Sequence, residues 1–154
     1  MNISIGADHR GSDTTFRLAQ FLSEQGHTIT RHGSTDGEPC DYPEAAYEVG
    51  TEVASGKADR GILICGTGIG MSIAANKVGG IRAAVVQDEL TAHLARGHND
   101  ANIVCLSADL LGERAMEKIV EVFLNDEFEG GRHARRISKI NAIEAGAEPS
   151  SVTS

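Results

Sequence analysis

Apolar positions along this chain fall into two alternating rhythms. Short apolar or alternating runs recur at residues 2–7 (NISIGA), 27–32 (HTITRH), 61–65 (GILIC), 82–86 (RAAVV) and 101–106 (ANIVCL). Their length and β-branched content predict strands. The run at 61–65 is almost continuously apolar, as in a strand covered on both faces. Helical spacing fills the gaps. Residues 12–25 carry an apolar stripe of Phe16, Leu18, Ala19, Phe21 and Leu22, with Ser12 or Asp13 as cap and Gly26 as stop. Helices are predicted at 44–55 (after Asp41-Tyr42-Pro43), 71–77, 89–96 and 111–124, the last with Leu111, Ala115, Ile119, Val122 and Phe123 in phase. Gly130-Gly131 breaks that helix, 132–145 forms a final one, and 146–154 reads as a frayed tail.

This alternation predicts an α/β fold: one domain over residues 1–145, built on a doubly wound, Rossmann-like, five-stranded parallel sheet with a C-terminal helix. In such sheets ligands sit beyond the carboxyl ends of the strands. Asp8 and His9 follow the first strand, Cys65 ends the third, and a polar turn at 33–41 follows the second. All three are therefore expected on one rim.

The segment after Cys65 is the most informative. Gly66-Thr67-Gly68-Ile69-Gly70 places three glycines at alternate positions between a strand and a helix. Such a turn lets backbone N–H groups approach an anion, helped by the helix dipole. It is neither a P-loop nor a G-x-G-x-x-G turn. Cys65 stands at the mouth of this cradle, where N–H dipoles favour a thiolate and can hold a developing oxyanion. Position alone leaves two readings of Cys65: a reactive thiol, or an inert buried apolar residue.

Other candidates are equally two-sided. Asp8-His9 is a helix cap beside a solvated imidazole, or part of a site. His98-Asn99 on its loop is solvated, or moves protons near neutral pH. Arg132, Arg135 and Arg136 open the last helix, with Arg132 and Arg136 on one face. They are a solvated face, or a phosphate clamp. His27, His32 and His93 read as surface or packing residues. Asn76-Lys77 is expected to end the cradle helix rather than reach a ligand.

Composition narrows the class. The net charge of −8 argues against nucleic acid and anionic membranes as partners. Aromatic residues are only 4% with no Trp, which does not suit base stacking. No run approaches a membrane span, and the first residues read as a strand rather than a leader. Cys40, Cys65 and Cys105 lack C-x-x-C spacing and read as free thiols, so a cytoplasmic location is expected. The histidines show no zinc spacing, and no metal is expected.

Taken together, ADHRG at 7–11, DYP at 41–43, CGTGIGMSIAANK at 65–77, HND at 98–100 and GGRHARR at 130–136 resemble type B ribose-5-phosphate isomerase and its galactose-6-phosphate relatives. The match runs in order from the first strand to about residue 143. The resemblance implies interconversion of D-ribose 5-phosphate and D-ribulose 5-phosphate without metal or organic cofactor. It implies a homodimer or tetramer with active sites shared between subunits. By the same resemblance Cys65 is the base, and Thr67 with the backbone of Gly66, Gly68, Ile69 and Gly70 holds the enediolate. Asp8 binds sugar hydroxyls, His98 and Asn99 open the ring, and His9, Arg132 and Arg136 hold the phosphate. His98, Asn99 and the arginines would come from the partner subunit. One branch of the family uses a glutamate base at the position of Met71, which cannot take a proton, so this chain resembles the cysteine branch. Two rival readings remain: isomerisation of a six-carbon phosphosugar, and a phosphosugar-binding module without turnover.

Overall fold

The computed structural model describes residues 1–153. Its strands are β1 (Asn2–Ala7), β2 (Thr28–Gly33), β3 (Arg60–Cys65), β4 (Ala83–Val85) and β5 (Ile103–Ser107). Its helices are α1 (Ser12–Glu24), α2 (Tyr42–Ala54), α3 (Ile69–Ala75), α4 (Glu89–Gly97), α5 (Glu113–Asn125) and α6 (Arg132–Glu144). All strand pairs are parallel, in the order β2-β1-β3-β5-β4. The chain leaves β1 for β2 on one side and returns to β3 on the other. The switch point therefore lies between β1 and β3, where a doubly wound sheet opens its ligand crevice.

Period-two alternation sorts the strand side chains between two cores. Ile3, Ile5, Ile62, Ile64, Val104 and Leu106 face α1, α4 and α5. Leu63, Cys65, Ile103 and Cys105 face α2 and α3. Both faces are thus covered, which accounts for the near-continuous apolar run of β3.

Three details depart from the sequence reading. Ser12 is the first residue of α1, after Gly11, and makes no capping bond. The buried stripe of α1 is Thr15, Leu18 and Leu22 with Ser12, and Phe16 is 60% exposed. Phe16 lies a step of 100° from Thr15, and the Arg31 guanidinium sits over its ring, 5.6 Å from the centroid. On α5 the buried residues are Met116, Ile119, Val120, Phe123 and Leu124, while Ala115 is exposed. The helix starts at Glu113, and its inner face sits one residue later than the periodicity suggests. Beyond α6 a short 3-10 turn forms at Pro149–Ser151. Ser154, the end of the expected tail, lies outside the described residues.

Among the buried polar groups one carboxylate is tightly bonded. Glu52 on α2 is 8% exposed. It accepts bonds from Ser4 Oγ at 2.8 Å and His32 Nε2 at 2.9 Å, and pairs with Lys57. Burial pushes its carboxyl up, but the bonds from Lys57, His32 and Ser4 outweigh burial and bring it from 4.5 to about 2. A depressed carboxylate stabilises the fold above its unfolded pKa, and that contribution is lost as pH falls toward the folded one. Glu52→Gln is therefore expected to cost about 1–3 kcal/mol at neutral pH. In urea titrations the gap from wild type should narrow below pH 4.5 and close near pH 2.

Candidate active site

β3 delivers Cys65 to the switch point at its last residue. Cys65 is 5% exposed, and its Sγ accepts the Gly68 N–H at 3.2 Å. The turn depends on Gly68. Its φ of +77° is left-handed, and a Cβ there would meet the Leu106 backbone at 3.2 Å. Gly70 answers a different need, since a Cβ would lie 2.8 Å from the Tyr42 ring. Thr67 is exposed, and its Oγ1 accepts the Ile69 N–H at 3.3 Å. The helix that follows has only seven residues. Its dipole adds little, and the cradle is mainly the loop's own N–H groups. Asn76 caps α3 as expected: its side chain bonds the Ala83 N–H and C=O, at 2.9 and 2.8 Å, which ties the cradle helix to β4.

The neighbouring strand supplies the second wall. Register pairs Ala7 with Ile64, so Asp8 lies beside Cys65. Asp8 is 7% exposed, and its Oδ1 accepts the Arg10 N–H at 2.9 Å. His9 is exposed and lines a shallow basin with Pro39, Cys40, Asp41 and Glu44. The polar turn after β2 thus shares the rim with Cys65. Two features of this rim escaped sequence reasoning. Tyr42 lies against Gly70, signalled only by its place in the DYP motif. Arg10 reaches Asp109 Oδ1 at 2.7 Å beside Gly66, a pairing 99 residues apart that no local pattern announces.

His98, Asn99, Arg132 and Arg136 lie elsewhere. α4 runs back from β4, so its end, capped by His98, sits near the start of β5. There the Gly61 N–H bonds Asn102 C=O at 3.0 Å, at the beginning of β3 rather than its end. From Gly61 to Cys65 is about 13 Å of strand. Asp100, at φ +46°, is gripped by Arg82 at 2.7 Å and by buried Arg96 at 2.9 Å, which fixes the loop that carries His98 and Asn99. The Glu129 N–H bonds Gly97 C=O at 3.0 Å and brings the start of α6 alongside. His133, buried, stacks on His98 with ring centroids 4.0 Å apart and planes 12° from parallel. Burial, then His98 and Arg132, push the His133 imidazole toward its neutral form. Arg132 and Arg136 are exposed on the first turns of α6. The candidate residues therefore fall into two separate groups: Cys65, the cradle, Asp8 and His9 at the carboxyl ends of the strands, and His98, Asn99 and the arginines toward their starts.

The sequence model described as Ribose/Galactose Isomerase matches residues 3–140. The chain belongs to the ribose/galactose isomerase family. Both groups of candidate residues lie inside that stretch. Ribose-5-phosphate isomerase B of Escherichia coli is 42% identical over 142 residues, 92% of this chain and 95% of that protein. D-erythrulose-4-phosphate isomerase of Pectobacterium atrosepticum is 41% identical over 145 residues, 94% of this chain and 95% of that protein. The solved structure of Clostridium thermocellum ribose-5-phosphate isomerase B is 46% identical, with a TM-score of 0.93 over 95% of this chain and 99% of that one. Among the described residues of this isomerase-family chain, no helix is long and apolar enough to cross a membrane.

Proposed function

We propose that this chain interconverts D-ribose 5-phosphate and D-ribulose 5-phosphate, with Cys65 as the base. Cys65 Sγ takes the C2 proton of the open-chain aldose and returns it at C1, so the step is redox-neutral and needs no external reductant. Between the two transfers the charge sits on the enediolate oxygens. The Thr67 hydroxyl and the N–H groups of the loop from Gly66 to Gly70 surround that position. The observation that carries this reading is the Gly68 N–H aimed at a buried thiol, 3.2 Å away, at the sheet's switch point. Asp8, on the adjoining strand, meets the sugar hydroxyls.

In this reading a second copy of the chain completes the site. Its His98 and Asn99 open the furanose ring, and its Arg132 and Arg136 join His9 around the phosphate. Support comes from α6, which buries only His133 and Ile137 along thirteen residues. Ile140 and Ile143 on its flank are 43% and 60% exposed. A helix of that length is marginal without a packed apolar face. On the cradle helix Ile69 and Ile73 are likewise 56% and 59% exposed. Apposition of these surfaces in a homodimer, alone or within a tetramer, covers the apolar residues and delivers one group of candidate residues to the other. A cytoplasmic location goes with this reading, and with three cysteines that stay free thiols.

The named relatives differ in sugar length, so substrate choice is tested directly. Wild-type protein is assayed with four-, five- and six-carbon aldose phosphates. The highest kcat/KM is expected for ribose 5-phosphate. A higher value for a six-carbon phosphosugar, or tight binding with no turnover of any, would overturn the assignment.

A further inference from the structure

His98, Glu129 and His133 converge from three places: the end of α4, the loop before α6 and the first turn of α6. Their nitrogen and carboxylate ligand atoms lie within 4.8 Å of one another. His98 Nε2 is 3.6 Å from Glu129 Oε1, and His133 Nε2 is 3.7 Å from Glu129 Oε2. Both separations are too long for an N–H···O hydrogen bond. Each nitrogen faces a different oxygen of the Glu129 carboxylate, and ligands at 2.0–2.2 Å on a tetrahedral metal stand about 3.4 Å apart, so a small inward shift brings the set onto one ion.

The surroundings hold the carboxylate and one lone pair in place, against the repulsion of Arg132 and Arg136 beside His133. Glu129 is held against the last turn of α4, where a Cβ on Gly97 would come within 3.0 Å of its Oε1. The Arg132 Nε–H points at His133 Nε2 from 3.4 Å, which leaves that nitrogen a lone-pair holder. Metal binding here requires Arg132 to swing off His133 and the two rings, 12° from parallel, to splay until their in-plane lone pairs converge. His93 flanks the same carboxylate at 4.0 Å, with its other ring nitrogen 2.7 Å from Asp126. Two imidazoles and one carboxylate suit zinc, nickel or copper, whereas calcium and magnesium prefer all-oxygen sets. Helical spacing could not reveal the cluster, because Gly130-Gly131 separates Glu129 from His133.

We propose that His98, Glu129 and His133 form a binding site for a d-block divalent cation of the Zn²⁺ class, and that the bound ion inhibits by withdrawing His98 from ring opening. The site stands on its own geometry; the inhibition rests on the role given to His98 above. The ion is an inhibitor here and takes no part in the isomerisation.

The test uses untagged full-length protein and Co²⁺ as the optical probe. One Co²⁺ per chain is expected, with a visible d–d band and no thiolate charge-transfer band. Glu129→Gln should weaken binding at least about ten-fold, while Cys65→Ser leaves it unchanged. With Zn²⁺ bound, ribose 5-phosphate turnover should fall at least about ten-fold and return with EDTA, and Glu129→Gln should need correspondingly more Zn²⁺. No Co²⁺ binding, binding indifferent to Glu129→Gln, or a thiolate band lost in Cys65→Ser would overturn the site. Binding at the cluster with full turnover would overturn the inhibition. His98→Asn assayed without metal separates the two readings: if it retains turnover, the ring-opening role fails while the site still stands on its spectrum.

Discussion

Cys65→Ser is expected to lower kcat for ribose 5-phosphate by at least about 100-fold, or about 2.7 kcal/mol in the barrier, with KM within a few fold of wild type. Serine keeps the volume and can still accept from the Gly68 N–H, which now reaches sulfur at 3.2 Å. It is a far weaker acid than a thiol, so no group at this position takes the C2 proton. The cradle, Asp8 and the phosphate contacts are untouched, and binding should survive. Steady-state kinetics at several pH values checks both halves. A variant that retains more than about a tenth of wild-type kcat has lost under 1.4 kcal/mol, too little for the loss of a base. That result would remove Cys65 from the role.

The second large effect is expected far from the sulfur. Ile143→Asp puts a carboxylate on a helix flank where the isoleucine is 60% exposed in the single chain. If α6 packs on a second copy, that carboxylate is buried without a partner, at a cost of several kcal/mol. Sedimentation velocity should show monomers where the wild type shows dimers, and turnover should fall below about 1% at dilute protein. Circular dichroism should show the sheet and inner helices intact, because Ile143 lies in neither core cluster. A monomer with full turnover would mean that one chain holds a whole site.

These expectations also show what a sequence can reveal. The strand at 61–65 and the glycine turn were legible because covered strands and left-handed turns leave local marks: an unbroken apolar run, and a glycine where φ must be positive. The shared rim of Asp8, His9 and Cys65 followed from topology, since parallel strands deliver their carboxyl ends together. Phase on α1 and α5 was read less well. Phe16 and Ala115 are apolar, yet packing is decided by which side faces the sheet, and both look away from it. The distance between His98 and Cys65 could not be seen in composition or spacing. It depends on α4 and α5 running back against the strands, which carries His98 and Glu129 toward the strand starts. Glu52 was likewise invisible, because its partners Ser4 and His32 are 48 and 20 residues away.

Site sharing can be measured by mixing subunits. Cys65→Ser and His98→Asn protomers, each nearly inactive alone, are unfolded together and refolded as a one-to-one mixture. Hybrid dimers then hold one site with both changes and one with neither. If sites are built from Cys65 of one protomer and His98 of the other, random pairing should restore about a quarter of wild-type turnover. Activity no greater than the sum of the two parents would contradict the shared site.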